Sequence, residues 1–426
     1  MGNSYKGQFI NKPNEILTER YGILYPAGSE DVRSEYYRDY TRILHSNAYR
    51  RLKHKTQVFY NIANDHVCTR IEHVQHVESV SYSIALGLGL DTELTRAIAC
   101  GHDLGHAPFG HEGETVINNR LKKELSKEHI DANYKGLDKI FWHERNGLRF
   151  VDSIELLPDN TGSHDNLHLT FAVRDGIISH CGEVDHNRIK PRDDMRQLYD
   201  IKECGTSQPF TWEGCVVKLS DKIAYIGRDI EDAEALGFLG DKDISDLKKM
   251  SRGFCGNDNV NTTTLMHSLI KDIIENSTPE DGLVLSDKTF DFFKEIKNFN
   301  YERIYRSSRF NVYKNYVNLI INSIYDILLD DKIYKDSHTI ANVYGEYGKQ
   351  YSTLVNDFID YVCKYTSEDV INHYDSDKLY KYLKYDNEKI YGSLATRDDY
   401  VWAVTDFISG MTDKYAISLF DELITL

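Results

Sequence analysis

The amino-acid sequence predicts a mainly α-helical protein, and three observations support that fold class. Apolar residues recur at three- and four-residue spacing through most of the 426-residue chain, as expected for helices with one buried face. No convincing run of alternating polar and apolar residues indicates β-strands. Proline is scarce, at 7 residues, which excludes Pro-rich linkers.

Three helices are predicted in the first quarter of the chain. One covers residues 34–52, and its apolar positions are Tyr37, Tyr40, Ile43, Leu44, Ala48 and Leu52. The next covers residues 69–86, with one face formed by Ile71, Val74, Val77, Val80 and Ile84. Asp91 suits the N-cap of a third helix, from residue 92 to about 103, because its carboxylate can accept unpaired backbone N–H groups.

Beyond the third helix, predicted helices alternate with polar segments. Residues 152–168 and 183–209 are predicted loops, whereas residues 216–236 return to helical spacing. Residues 239–264 are rich in Gly, Asp, Asn and Thr, which predicts a loop or an internal break. From about residue 281 onward, apolar and tyrosine positions again follow a helical period.

Charge and cysteine usage narrow the class of protein. A formal net charge of -16 repels nucleic acid on average, so a generic DNA-binding role is disfavoured. A local basic pocket for a small anionic substrate is still consistent with the basic cluster Arg50, Arg51, Lys53 and Lys55. The seven cysteines are scattered and form no C-x-x-C, which argues against a zinc ribbon or a disulfide framework. No apolar run is long enough to span a membrane, so a cytoplasmic protein is expected.

Histidines and carboxylates concentrate in one part of the chain. Twelve of the 17 histidines lie between His66 and His186, and "CGHDLGHAPFGHEGE" at residues 100–114 holds three of them with one aspartate and two glutamates. A lone His-Asp pair indicates little more than a surface turn, but this set predicts a metal site. Mixed imidazole and carboxylate ligands suit Mn²⁺, Fe²⁺ or Mg²⁺, which can acidify a bound water and neutralise phosphate charge. The intervening glycines allow sharp turns, so His106 and His111 can face the same cavity as His102.

Five blocks of sequence, taken in order, resemble one known family. They are "RSEYYRDYTRILHSNAYRRLKHKTQVF" at 33–59, "TRIEH" at 69–73, "HDLGHAPFGHEGE" at 102–114, "FWHERNGLR" at 141–149 and "LSDKIAYIGRDIEDA" at 219–233. Together they resemble the HD-domain deoxynucleoside triphosphate triphosphohydrolases, the dGTPase family. The resemblance continues more weakly through "NFNYERIY" at 298–305. It implies an all-α fold, with an HD-domain helical metallohydrolase core and an additional helical C-terminal region.

The resemblance also suggests how the chain is divided. Residues 1–30 are expected to be an N-terminal extension, and residues 31–238 the metal-dependent catalytic core. Residues 239–264 then form the predicted loop or break. Residues 265–426 form a helical C-terminal region that completes the nucleotide site and supplies oligomer contacts.

The resemblance assigns metal binding and catalysis to six residues. The family's metal ligands correspond to His73, His102, Asp103 and Asp221, and its catalytic pair corresponds to His111 and Glu114. His111 and Glu114 are three residues apart and share one face of a helical turn. Glu114 can therefore orient the imidazole and favour its charged form, and His111 can protonate the departing 5′-oxygen.

Substrate contacts are expected along one helix and around it. Asp221, Tyr225 and Asp229 repeat every four residues and form one stripe. By resemblance, Tyr225 packs against the deoxyribose and Asp229 accepts the 3′-hydroxyl. Gln57 also contacts the sugar. The candidate phosphate ligands are Arg70, His106, His143 and Lys222, of which His143 and Lys222 could equally be ordinary surface charges.

The implied reaction is metal-dependent hydrolysis of dGTP or several dNTPs by metal-activated water attack on the α-phosphorus, which yields deoxynucleoside and inorganic triphosphate. An even-numbered homo-oligomer, such as a hexamer, is expected, and a nucleotide or single-stranded DNA effector is a further partner that the resemblance allows. One alternative is an HD phosphohydrolase that acts on monophosphates or cyclic nucleotides. Another is a non-catalytic nucleotide-binding scaffold, against which the complete ligand set and catalytic pair both argue.

Overall fold

The computed structural model describes residues 8–11, 15–22, 32–60, 66–159, 161–181, 187–255 and 262–425. Helices dominate these residues, so the predicted all-α fold class is confirmed. Their only sheet is a two-residue antiparallel pair of β1 (Leu157–Pro158) and β2 (His164–Asp165). Among the same residues, no helix has both the length and the apolar composition needed to cross a membrane.

The part of the chain up to residue 235 supplies nine α-helices within the described ranges. They are α1 (Glu35–His45), α2 (Asn47–Arg51), α3 (Arg70–Leu88), α4 (Thr92–Gly101), α5 (Gly110–Glu124), α6 (Lys127–Asn133), α7 (His143–Arg149), α8 (Phe171–Ser179) and α9 (Trp212–Ala235). Short 3₁₀ turns occupy Glu15–Thr18, Leu52–His54 and Leu198–Asp200, and a π turn follows α7 at Phe150–Ile154.

The rest of the described chain is also helical. Its helices are α10 (Asp241–Cys255), α11 (Thr262–Asn276), α12 (Asp287–Asn300), α13 (Phe310–Leu328), α14 (Thr339–Tyr347), α15 (Ser352–Val362), α16 (Glu368–Asp375), α17 (Leu379–Tyr382), α18 (Arg397–Ser409) and α19 (Asp413–Ile424). A π turn at Tyr301–Tyr305 follows α12, and 3₁₀ turns lie at Asp336–His338 and Ser376–Lys378.

Two helix boundaries, one predicted and one not, show how side chains determine where a helix begins. The Asp91 carboxylate accepts hydrogen bonds from the backbone N–H groups of Glu93 and Leu94, which confirms it as the N-cap of α4. The helix predicted over 34–52 is instead divided at Ser46. The backbone of Ser46 is extended, and its hydroxyl accepts from the N–H of Tyr49, so it ends α1 and caps α2. A serine inside a helical pattern can therefore begin a new helix.

The prediction of a loop or break at 239–264 is wrong for most of that segment, because Asp241–Cys255 forms α10. Leu247 is buried, and Ile244, Met250 and Phe254 pack beside it in the same apolar cluster. These positions follow helical spacing, and their burial outweighs the Gly- and Asp-rich composition around them. Residues 256–261 of the predicted break lie outside the described residues, as do 1–7, 12–14 and 23–30 of the predicted extension.

The core positions the site by packing four helices together. Helix α9 contacts α3, α4 and α8, and α4 also contacts α3 and α8. Helix α5 packs against α13 and α18 from the C-terminal half. One apolar cluster includes residues from α4, α8, α13 and α18, whereas a second surrounds α9, α11 and α12. The helices that carry the predicted metal ligands are therefore held on both sides by buried apolar surface.

Candidate active site

Four side chains from three segments of the helical core converge, and we call them the metal cluster. His73 lies in the first turn of α3, His102 and Asp103 directly follow α4, and Asp221 lies in α9. His73 Nε2 is 2.9 Å from Asp221 Oδ1 and 3.9 Å from Asp103 Oδ2. His102 Nε2 is 3.6 Å from Asp103 Oδ1 and 3.9 Å from Asp221 Oδ1. The structure thus brings all four predicted metal ligands to one point.

The chemistry of these donors fits a divalent cation. His102 is fully buried, and its Nδ1 donates a hydrogen bond to the carbonyl oxygen of Ala99 at 2.7 Å. The proton therefore sits on Nδ1, and Nε2 presents a lone pair that has no hydrogen-bond partner among the described residues. A backbone carbonyl that fixes the tautomer in this way is a usual support for a metal-binding histidine. A buried lone pair beside two carboxylates is unfavourable by itself and is explained if all three bind one cation.

The neighbours of Asp103 keep its carboxyl group ionised. Burial alone would raise the pKa of this group, but its electrostatic interactions with His102, His106 and Arg70 and the hydrogen bond from His106 lower it well below its usual value. Arg70 Nη1 donates to Asp103 Oδ2 at 2.7 Å, and His106 Nε2 lies 3.0 Å from Asp103 Oδ1. The carboxylate is thereby held in one orientation, as a metal ligand requires.

A second group, which we call the imidazole cluster, consists of His106, His111, Glu114 and His143. The rings of His106 and His143 stack with centroids 3.8 Å apart, and the His111 ring lies 5.2 Å from His106. Glu114 Oε2 is 3.3 Å from the Nδ1 atoms of both His111 and His143. Since His106 also contacts Asp103, one imidazole separates the His111–Glu114 pair from the metal cluster.

The predicted catalytic pair therefore meets in the structure, with unequal exposure. Glu114 is buried, whereas the His111 side chain is 73% exposed. Burial would raise the pKa of Glu114, but the charges and hydrogen bonds of His143 and His111 lower it well below its usual value. The backbone N–H of His143 also donates to Glu114 Oε1 at 3.1 Å. Glu114 is consequently an anchored anion that can orient an exposed imidazole.

Two glycines of the predicted turn have separate physical roles. A Cβ on Gly105 would lie 2.1 Å from the carbonyl oxygen of His143 and from the backbone nitrogen of Gly147, so only glycine lets α7 approach this segment. Gly110 has φ +60°, in the left-handed region that glycine adopts easily. It follows Phe109, whose φ is also positive, and it begins α5. The close approach and the turn together bring His106, His111 and His143 to one place.

The predicted sugar stripe lies along α9, and its far end has an unpredicted partner. Asp221 and Tyr225 are partly exposed, whereas Asp229 is buried. The hydroxyl group of Tyr305 donates to Asp229 Oδ2, and burial raises the pKa of Asp229 to about 7. Gln57, the other predicted sugar contact, has a buried side-chain oxygen without a partner among the described residues. Tyr305 belongs to the "NFNYERIY" segment, which was the signal that could have identified it.

Of the four candidate phosphate ligands, Arg70, His106 and His143 lie at the site, and each already contacts a carboxylate there. Arg70 is buried and donates to Asp103 and to two backbone carbonyls, and His106 contacts the same Asp103 carboxylate. His143 is buried and contacts Glu114. Lys222 is buried on α9. In this structure Arg70 and His106 position a metal ligand, and their contact with phosphate stays a prediction.

His180 is a member of the site that the sequence motifs did not identify. It directly follows α8, and its ring lies 5.0 Å from the ring of His102 and 5.7 Å from that of His143. Burial, together with the charges of His102 and His143, lowers the pKa of His180 to about 3. A neutral imidazole therefore covers the back of both clusters. Its position in the histidine-rich segment was the available signal.

A carboxyl group and two thiols lie behind His143. His143 Nε2 is 3.3 Å from Glu144 Oε1, and the sulfur of Cys204 is 3.6 Å from that same oxygen. Burial raises the pKa of Glu144 well above its usual value. The sulfurs of Cys181 and Cys204 are 2.8 Å apart, and the hydrogen bond from Cys181 lowers the pKa of Cys204 to about 7.

The C-terminal helices support the site from one side. Asp413, at the start of α19, accepts hydrogen bonds from the backbone of Thr56 at 2.8 Å and of Phe109 at 2.7 Å. Lys55 is buried and donates to the backbone carbonyls of His106 and Ser409. Segments that carry Gln57 and His106 are thus tied to residues more than 300 positions later in the chain.

Comparisons with known proteins agree with this geometry. Residues 70–226 match the model of the HD domain. A deoxyguanosinetriphosphate triphosphohydrolase-like protein of Caldanaerobacter subterraneus is 32% identical over 318 residues, which cover 74% of this chain and 78% of that protein. A protein of the same description from Leptospira interrogans is 31% identical over 434 aligned residues, covering 94% of this chain and 93% of its own length. The chain therefore belongs to the HD-domain family of deoxyguanosinetriphosphate triphosphohydrolase-like proteins.

Proposed function

We propose that this protein is a metal-dependent hydrolase that converts deoxynucleoside triphosphates into deoxynucleoside and inorganic triphosphate. The observation that carries the proposal is the meeting of the two clusters at His106. A phosphate beside the metal cluster would lie next to the exposed His111 imidazole, because only the His106 ring separates them. The printed descriptions of the relatives, which name deoxyguanosine triphosphate, support this class of substrate.

His73, His102, Asp103 and Asp221 are the residues that would hold the cation. A divalent cation in such a site supplies a Lewis acid that lowers the pKa of water and neutralises phosphate charge. Arg70 and the carbonyl of Ala99 hold Asp103 and His102 in the orientation that binding needs. The metal is proposed to be Mn²⁺, Mg²⁺ or Fe²⁺, because the donors are two imidazoles and two carboxylates.

His111 is proposed as the proton donor to the departing 5′-oxygen. Its Nδ1 faces the Glu114 carboxylate, so the other ring nitrogen is available to the substrate. Glu114 stays ionised and accepts a hydrogen bond from that Nδ1, so it holds the ring in one orientation. In the reaction the bond between the α-phosphorus and the 5′-oxygen breaks, the proton goes to that oxygen, and the water oxygen ends on the triphosphate.

The stripe on α9 is proposed to select deoxyribose. Four residues of α-helix span about 6 Å, so Asp221 and Asp229 are about 12 Å apart along α9, with Tyr225 midway between them. The metal would bind at the first of these positions and the sugar along the other two. Tyr225 would lie against C2′, where an added hydroxyl finds neither space nor a partner. Asp229, fixed by Tyr305, would accept the 3′-hydroxyl. Gln57 supplies a further unpartnered oxygen for the sugar.

Product analysis in ¹⁸O-labelled water tests the proposal. Each of the four dNTPs is incubated with the purified protein and Mn²⁺, Mg²⁺ or Fe²⁺, and the products are separated by chromatography. The expected products are deoxynucleoside and labelled tripolyphosphate. Pyrophosphate, orthophosphate or label in the nucleoside 5′-hydroxyl would instead indicate another phosphohydrolase chemistry and contradict the proposal.

A further inference from the structure

A cavity of about 260 Å³ lies beside α7, and its lining includes no residue of the metal cluster or the imidazole cluster. Its walls include Tyr134, Trp142, Arg145, Arg149 and Trp402. Helix α7 also carries His143, which contacts Glu114 in the imidazole cluster. The cavity therefore adjoins the candidate active site but shares neither its metal cluster nor the His111–Glu114 pair.

Arg145 is the unusual residue of this cavity. Its Nη1 atom is buried without a hydrogen-bond partner, and within the described chain no carboxylate forms an ion pair with its guanidinium group. The guanidinium is instead held between two aromatic faces, 5.5 Å from the ring centre of Tyr134 and 5.2 Å from that of Trp142. Aromatic faces fix the position of a cation, but they leave its N–H donors unsatisfied.

Trp142 presents a second donor of the same kind. Its side chain is 1% exposed, and its Nε1 atom, which can only donate, has no partner among the described residues. A buried donor left without an acceptor is costly, and two in one cavity call for an explanation. A ligand that offers acceptor atoms to both Arg145 and Trp142 satisfies them at once. Carboxylate and phosphate are the groups whose geometry suits a guanidinium fork.

The remaining charges limit the ligand to one anionic group. Arg149 is already neutralised, because its Nε and Nη2 atoms lie 2.9 and 2.6 Å from Asp406 Oδ2. Asp399 also lines the cavity and would repel additional negative charge. Among the described residues, Arg145 is thus the arginine of the lining that has no carboxylate partner. A triphosphate would bring more negative charge than this cavity can compensate.

The aromatic walls favour a flat partner for that anion. Tyr134 and Trp402 lie side by side, with ring centres 6.4 Å apart, and both border the space in front of Arg145. Planar rings gain from contact with such faces beyond the burial of apolar area. We propose that this cavity binds a small planar molecule carrying a single carboxylate or phosphate group, with the anion on Arg145 and Trp142 and the ring against Tyr134 and Trp402.

Tryptophan fluorescence offers a direct test. The chain has three tryptophans, and Trp142 and Trp402 both line the cavity. The third, Trp212, packs against Phe9 in the second apolar cluster. A Trp212→Phe background therefore leaves only reporters in the cavity. The probes are benzoate and phenyl phosphate, and the controls are benzyl alcohol, which lacks the charge, and inorganic phosphate, which lacks the ring.

We expect a saturable change with benzoate or phenyl phosphate, with a dissociation constant on the order of 1 mM or tighter. Both controls should bind at least ~10-fold more weakly, since each loses one of the two contacts. Arg145→Met keeps the apolar stem against the rings but removes the donors, and it should weaken binding by a similar factor. Arg188→Met, on an exposed arginine beside Asp281, is the matched control and should bind normally.

Arg145→Gln serves as a second variant if Arg145→Met does not fold, as judged by circular dichroism. Absence of saturation with both charged rings overturns the proposal, as does equal binding by the controls or by a folded Arg145 variant. Because the readout is binding and not hydrolysis, it can fail while the proposed dNTP hydrolysis stands, and the reverse is also true. Comparison of the dissociation constants of benzoate and phenyl phosphate shows which anion the cavity prefers.

Discussion

The metal cluster and the imidazole cluster are neighbours, yet their side chains are held in opposite ways. In the metal cluster, His102 is fully buried, and Arg70 and His106 both hold Asp103. In the imidazole cluster, the His111 side chain is 73% exposed, and its ring is oriented by a hydrogen bond to Glu114. One cluster is rigid before any ligand arrives, and the other ends in a ring that solvent and substrate can reach.

The difference follows from the two kinds of chemistry proposed for them. Cation binding needs donors that are already deprotonated and oriented, because rearranging them weakens affinity. A proton donor must instead touch the leaving group and be reprotonated from water after each turnover. Glu114 combines both needs, since it is buried itself and orients the exposed His111.

Loss of a rigid carboxylate should have the largest effect. Asp103→Asn replaces an anionic donor with a neutral amide of the same shape, so metal binding and dNTP hydrolysis should fall to background while the fold is kept. Metal content, activity and circular dichroism are measured together. Asp232→Asn is the control, because Asp232 is also buried but binds the backbone of Cys68 and no histidine. Normal metal content and activity in Asp103→Asn would remove Asp103 from the ligand set.

In the imidazole cluster, Glu114→Gln should leave metal binding intact and slow the chemical step. Loss of the carboxylate that orients His111 is expected to lower kcat on the order of 100-fold, within the usual range for general acid catalysis. Glu112→Gln is the matched control on the same helix, since Glu112 pairs with Lys314 at the surface. A kcat equal to wild type in Glu114→Gln would contradict the assigned pair.

Asp229 provides a test through stability. Burial raises its pKa from 3.8 to about 7, so between these values the folded chain holds a proton that the unfolded chain has released. Stability from this group therefore falls as pH rises, by about 2 kcal/mol between pH 5 and pH 7. Asp229→Asn cannot ionise, so its advantage over wild type in urea unfolding should grow by roughly that amount between pH 5 and pH 8. Parallel curves for the two proteins would show that Asp229 has an ordinary pKa.

The smallest effect is expected at Tyr225, which is proposed to act on specificity. An unsatisfied buried hydroxyl costs on the order of 1–3 kcal/mol, which corresponds to roughly ten- to a hundredfold. Tyr225→Ala should narrow the ratio of kcat/KM between a dNTP and its ribonucleotide by about that factor. Tyr82→Ala, at an exposed tyrosine on α3, is the control. If the ratio is unchanged in a folded and active Tyr225→Ala protein, Tyr225 does not contact the sugar.

Much of the helical core could be predicted because its signals are local. Asp91 begins α4 through bonds to the next three residues, and the apolar spacing of α3 specifies its buried face without reference to the rest of the chain. The same is true of His111 and Glu114, which one helical turn brings together. The prediction of a loop over 239–264 is wrong for Asp241–Cys255, because Ile244 and Leu247 at helical spacing pack into an apolar cluster despite the polar composition around them.

The sequence by itself determined the helical class, the starts of α1, α3 and α4 to within one residue, and the identity of the residues that meet in the two clusters. Only the tertiary structure decided that Tyr305 holds Asp229 across 76 positions and that Asp413 holds Thr56 across 357. It also decided that Arg145 lines a cavity and that none of the described carboxylates forms an ion pair with it. The physical reason is range. Caps and helical faces depend on neighbours within about four residues. The contacts of Tyr305 with Asp229 and of Asp413 with Thr56 depend instead on which apolar helix faces pack together. Many pairings of such faces bury similar areas, so the sequence does not specify which one forms.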